Sequence, residues 1–266
     1  MNKNWKMALL LLAAAGSLAF AGCGKAPERE APRSASTGRV LTVATEGDYA
    51  PLSFKNEHGH VVGFELDLAK AVAKEMNAEV KVETMHFGEI ISAVENKKVD
   101  MGISAITIRD ERKKHVAFSD PYYKMSGYSI IVKKDSGLRG EGAIKGKTVA
   151  TLQGSTSEAK VKEMGPAKIK SMGDYNGVFD AVEKGEADAG ITDEPASIYG
   201  LKAGRASKLT IVGLIPAEDN FGIAVSKDNQ KLADEVNRAL KKVMSDGTYD
   251  ELSKKWFFED KVAEKK

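Results

Sequence analysis

From Val40 onward the spacing of apolar and polar positions changes period repeatedly. VLTVAT (40–45) is a short apolar run of strand length. In ELDLAKAVAKEM (65–76), Leu66, Ala69, Val72, Ala73 and Met76 fall on one helical face. VKVET (80–84) then predicts a strand, EIISAVEN (89–96) a helix and VDMGIS (99–104) a strand. Strands that alternate with helices imply a mostly parallel sheet with helices on its faces.

The pattern restarts at YSIIVKK (128–134), an apolar strand. GKTVATLQ (146–153) reads as a strand, 156–164 as a helix, YNGVFDAVEKG (175–185) as a helix and ADAGIT (187–192) as a strand. FGIAVSK (221–227) is a strand resembling 128–134. LADEVNRALKKVM (232–244) and GTYDELSKKWF (247–257) are helical, bring no sheet of their own and are expected to pack on the first lobe. The economical architecture is two α/β lobes joined by crossings at 128–134 and 221–227. Lobe 1 is expected to span 40–130 and 224–258, lobe 2 131–223, and 259–266 a charged tail.

The N-terminal segment 1–22 has Lys3 and Lys6 ahead of an apolar run from Met7 to Ala21. That run is short of the roughly 20 residues a bilayer span takes and has the layout of a secretory signal. Cys23 is the one cysteine and follows Phe20-Ala21-Gly22, a stretch that resembles the bacterial lipoprotein cleavage box. The resemblance implies a lipidated Cys23, with 24–39, rich in Pro, Ser, Ala and charge, as a flexible spacer. No thiol then remains for a disulfide, a metal or nucleophilic catalysis. Without Lys3 and Lys6 the basic count falls from 40 to 38, against 38 acidic residues. That balance lacks the excess a nucleic-acid partner requires.

Four polar clusters stand just past predicted strands: TEGDY (45–49), SAITIRDER (104–112), QGSTSE (153–158) and TDEP (192–195). Open α/β sheets bind ligands outside the carboxyl ends of their strands, so the expected site lies between the lobes. The residue types suit a free α-amino acid. Arg112 offers a planar donor fork for a carboxylate. QGSTSE places a Gly-containing turn and hydroxyls at a helix start, where backbone N–H groups can hold the same carboxylate. Asp193 suits an ammonium, with Thr107 Oγ and the Ala105 carbonyl as further acceptors. Tyr49 and Phe87 could sandwich a side chain. Arg109, Lys113 and Lys114 read as a solvated face.

GFELDLAKAVAKEM (63–76) resembles the signature of the bacterial extracellular solute-binding proteins that serve polar amino-acid ABC transporters. GISAITIRDERKKHVAFSDPYY, LQGSTSE and DGTYDELSKKWF are similar to the same family, in family order across 40–258. The resemblance implies a two-lobed, periplasmic-binding-protein-like α/β fold (type II) with two crossover strands, closing over its ligand. Carried over by position, it implies a carboxylate clamp at Arg112, ammonium contacts at Ala105, Thr107 and Asp193, and second-lobe contacts at Ser155 and Thr156. Tyr49 and Phe87 become walls, and Glu46 and Glu65 the acids that meet a basic side chain. Ser104, Leu152 and Gly154 complete the expected site. Many relatives carry Asp where Glu46 stands, and its extra methylene leaves less room for a long side chain.

The leading expectation is a lipid-anchored, monomeric receptor of the cell envelope that passes an amino acid to an ABC permease. Arginine, lysine or histidine leads, because Leu152 adds no cation and Glu46 adds negative charge; glutamine or cystine comes next. No cofactor, metal or nucleic acid is expected. Three other readings compete. Cyclohexadienyl dehydratases resemble this fold, and Glu194 would be the candidate acid. His58 and His60 in NEHGH could hold a metal, although no third ligand stands nearby in the sequence. The receptor could also feed a sensor kinase in place of a permease.

Overall fold

The structure is a computed structural model that describes residues 38–202, 204 and 207–258. Segment 1–22, Cys23, the spacer up to residue 37 and the tail 259–266 lie outside the described residues.

The chain enters β1 (Arg39–Thr45), then makes three short strands, β2 (Asp48–Tyr49), β3 (Ser53–Lys55) and β4 (Val61–Val62). It continues through α1 (Phe64–Glu75), β5 (Ala78–Thr84), α2 (Phe87–Glu95), β6 (Met101–Gly102), α3 (Asp110–Lys113) and β7 (Val116–Phe118). A second series follows: β8 (Tyr123–Lys133), β9 (Thr148–Leu152), α4 (Thr156–Met164), β10 (Lys168–Met172), α5 (Tyr175–Glu183), β11 (Ala189–Asp193), α6 (Glu194–Lys202) and β12 (Leu209–Phe221). The chain returns in β13 (Ala224–Ser226) and ends in α7 (Gln230–Ser245), α8 (Thr248–Ser253) and a wide turn over Lys254–Phe258.

Among the described residues the first sheet has the order β5-β1-β6-β13-β7 and the second β10-β9-β11-β8-β12. In the first, β1 runs parallel to β5 and β6, while β13 is antiparallel to β6 and β7. In the second, β9 runs parallel to β10 and β11, while β8 is antiparallel to β11 and β12. Each lobe is therefore a βαβ core finished by an antiparallel strand. The periodicity of α1 has its expected result: Leu66, Ala69, Val72 and Ala73 are buried, joined by Phe64 and Leu68. Fully burying an aliphatic or aromatic side chain stabilises by about 1.5–3 kcal/mol, so this face fixes the helix on its sheet. Helix α7 packs on α1 and β13, which places the C-terminal helices on the first lobe.

The crossings differ from the sequence reading in detail. Residues 123–130, assigned there to the first lobe, form the first part of β8 and pair in the second sheet. FGIAVSK is not one strand: β12 ends at Phe221 and β13 begins at Ala224. The break lets Gly222 N–H reach Ile106 C=O at 3.0 Å and Ile108 N–H reach Asn220 C=O at 2.8 Å. The hinge is thus stitched directly to the SAITI segment. At another lip of the molecule, Phe54 lies 5.8 Å from Tyr199 of α6 and 5.9 Å, edge to face, from Trp256.

Candidate functional site

The carboxyl ends of β1, β6, β9 and β11 bring the four polar clusters together where the lobes meet. Arg112, in the short helix α3, points across the gap. Its guanidinium donates to Thr107 C=O at 3.0 Å and to Gly154 C=O of the second lobe at 3.1 Å, and lies 5.3 Å over the Phe87 ring. Burial holds Arg112 below its ordinary pKa, with the Asp193 charge opposing.

Opposite it, Ser155 caps α4: its Oγ accepts from Glu158 N–H at 3.0 Å and donates to Leu152 C=O at 2.6 Å. Gly154 has φ +73, a left-handed turn that suits glycine. Thr156 Oγ lies 3.4 Å from Thr107 Oγ, so the two lobes touch through hydroxyls.

The acidic pole is built on β11. Asp193 is 5% exposed, and its Oδ2 accepts from the Tyr175 hydroxyl at 2.9 Å while Oδ1 is buried without a partner. Burial pushes its carboxyl up to about 6, with the Tyr175 hydrogen bond opposing. Tyr175 also packs edge-on against Tyr49 at 4.7 Å.

Glu46 follows β1. Its N–H donates to Ser104 Oγ and its Oε1 accepts from Phe87 N–H, each at 3.2 Å. Burial, then the neighbouring Asp48, push Glu46 up to about 9. Burial likewise raises Asp48, whose Oδ2 accepts from Tyr175 N–H at the start of α5. That bond is a further link between the lobes, beside those of Arg112 to Gly154 and Thr107 to Thr156.

The expected residues are thus assembled, but not as one chamber. Glu46 lines a cavity of about 800 Å³ together with Asp48, His86, Glu89, Asp174 and Tyr175. Arg112, Gly154, Ser155 and Thr156 line another of about 590 Å³ with Tyr128 and Asp219. Tyr49, Phe87, Ser104, Ala105, Thr107, Leu152 and Asp193 are buried and line neither of the two. Glu65 is fully buried beneath the Ala105 turn and lines neither cavity.

Sequence reasoning missed Asp48, Tyr175, Tyr128 and Asp219. Tyr175 follows β10, whose KIKSM sequence lacks an apolar run, so no strand end was expected there. Arg109 corrects the reading of a solvated face. It donates to both carboxylate oxygens of buried Asp219, at 2.8 and 3.0 Å, and Asp219 also accepts from the Tyr128 hydroxyl. Lys113 pairs with Asp110 on the surface, as a solvated face would. His58 and His60 are exposed in their loop, and among the described residues no group of three or more His, Cys, Asp or Glu side chains could hold a metal ion. No described helix is long and apolar enough to cross a membrane.

A cleft between two α/β lobes, with a cationic fork and an acidic pole converging from both, is the arrangement of the two-lobed solute-binding proteins. The chain belongs to the bacterial extracellular solute-binding proteins, family 3, whose description matches residues 41–259. It is 36% identical over 263 residues to the arginine-binding extracellular protein ArtP of Bacillus subtilis (strain 168), covering 97% of this chain and 100% of that one. It is 34% identical to the ABC transporter glutamine-binding protein GlnH of the same organism, covering 95% and 94% of the two chains. Among solved structures, an ancestral arginine-binding protein bound to glutamine matches with a TM-score of 0.78 and 39% identity, over 83% of this chain and 98% of that one. These relatives are binding proteins, and this chain is one too, not an enzyme.

Proposed function

We propose that this protein is the lipid-anchored receptor of an amino-acid ABC importer, held at the cell envelope through Cys23 and closing as a monomer on one free L-amino acid. Arg112, aided by the backbone around Ser155 and Thr156, grips the α-carboxylate. Asp193, Thr107 and the Ala105 carbonyl take the ammonium. Tyr49 and Phe87 flank the side chain, which extends toward Glu46 and Asp48. The opposition of Arg112 and Asp193 across the lobes carries this reading, because a buried zwitterion needs both of its charges matched.

Arginine leads among ligands. The Glu46–Asp48 pair is partly desolvated and short of counter-charge, which a guanidinium would supply; the arginine-binding relative supports this choice. Glutamine is the second reading: with Glu46 raised to about 9, its protonated carboxyl can donate to a carboxamide oxygen at neutral pH. A thermal-shift screen of the twenty amino acids and cystine separates the two. Ligand present at 100 times Kd stabilises by about 2.7 kcal/mol, so the cognate amino acid is expected to raise Tm by several degrees. A flat response to all of them refutes amino-acid binding.

Binding is also expected to weaken in acid. The ammonium needs Asp193 as a carboxylate, and its folded-state value lies near 6. Below that pH Asp193 must lose one proton for each ligand bound, so Kd should rise at least about tenfold per unit of pH, and more steeply for arginine, which also takes Glu46 as a carboxylate. Calorimetric titration from pH 7.5 to 4.5 checks this; a constant Kd would remove Asp193 from the site.

A further inference from the structure

Glu65 stands in the first turn of α1, and its side chain is completely withdrawn from solvent. Its Oε1 accepts from Ala105 N–H at 2.7 Å and from the Tyr122 hydroxyl, while Oε2 is buried with no partner. One carboxyl oxygen therefore joins α1, the turn at 104–107 and the residue that precedes β8. Ala105 has φ +49, a left-handed conformation that a Cβ disfavours. A buried N–H without an acceptor is costly, so the turn depends on an acceptor placed beneath it. Ser104 Oγ of the same turn receives Glu46 N–H, and Thr107 C=O receives Arg112. Burial pushes the Glu65 carboxyl up to about 7, while its two donors hold it down.

We propose that Glu65 is a positioning residue for the amino-acid site: it locks the Ala105 turn so that the Ala105 carbonyl and the Thr107 hydroxyl face the ligand's ammonium group. Its partners are the protein's own Ala105 and Tyr122, and it does not meet the ligand side chain. The role rests on the proposed amino-acid site. It predicts dependence on Glu65 that is equal for every amino acid bound, since all share the ammonium.

The test compares the parent protein with Glu65→Gln and Glu65→Leu, using calorimetry with L-arginine, L-lysine and L-glutamine and amide hydrogen exchange at Ala105. Circular dichroism fixes a temperature at which each variant is folded. Glutamine keeps an acceptor oxygen, so Glu65→Gln should hold every affinity within about threefold of the parent. Leucine removes the acceptor, so Glu65→Leu should weaken every ligand that the parent binds by about tenfold or more, by a common factor, and speed exchange at Ala105. Unchanged affinities in Glu65→Leu overturn the proposal. So does a loss in Glu65→Gln confined to arginine and lysine, which would make Glu65 a direct contact of a cationic side chain. If Glu65→Leu does not fold, Glu65→Ala, which also removes the acceptor, takes its place at a temperature where it is folded, and unchanged affinities with unchanged exchange at Ala105 overturn the proposal. A parent that binds no amino acid refutes the site itself, and Ala105 exchange still reports whether Glu65 holds the turn.

Discussion

Arg112→Ala is expected to weaken every amino acid the protein binds by at least about 100-fold, close to 3 kcal/mol, while leaving the fold intact. The magnitude follows from the partner left behind: a carboxylate drawn into a closed cleft without its fork keeps its desolvation cost and loses two charge-assisted hydrogen bonds. The fold should survive because Arg112 is held by two carbonyls and a ring face, and burial already disfavours its charge. Arg112→Lys should recover only part of the loss, since an ammonium cannot match both carboxylate oxygens at once. Calorimetry on folded variants measures both effects. Affinity equal to the parent in Arg112→Ala would end the proposal of a carboxylate clamp.

The second large effect is on stability. Gly63 has φ +139, and a Cβ there would lie 2.2 Å from Leu52 C=O. That carbonyl accepts Glu65 N–H at 2.8 Å, and Pro51 C=O accepts Phe64 N–H at 3.0 Å, so the pair caps the start of α1. Gly63→Ala must either displace the carbonyls or move the helix that carries Glu65. Backbone strain and the lost cap together should cost about 4 kcal/mol in urea unfolding. Gly88→Ala is the control. It sits in α2 with nothing within 4 Å of the added carbon, and should change stability by no more than about 1 kcal/mol, in the stabilising direction. Equal midpoints for the two variants would show that the close approach at Gly63 does not constrain the fold.

Much of the architecture was legible because buried faces impose a period. Helices α1, α2, α4, α5 and α7, and strands β1, β5, β9 and β11, stand within a few residues of their expected places. Where the period is broken, the reading failed for identifiable reasons. Strand β12 is interrupted at Gly213 and Pro216, where its register with β8 shifts, so LTIVGLIPAEDNF shows no sustained alternation. Helix α6 buries only Ala196 and Ser197 and offers no apolar stripe. VDMGIS shrinks to the two residues of β6, because the chain beyond it leaves the sheet to pair with the returning hinge. Arg112 could be singled out because the chemistry of a zwitterion demands a fork beside a strand end. Arg109 could not, since its partner Asp219 lies 110 residues away on a strand with no visible pattern.

The aromatic contact at the lip has a practical consequence. The chain has two tryptophans, Trp5 ahead of the N-terminal apolar run and Trp256. A fragment starting in the spacer therefore keeps a single indole, one ring removed from Tyr199 of the opposite lobe. Its emission is expected to change if the halves of the molecule shift, and titrating an amino acid while following that signal would give a label-free optical readout.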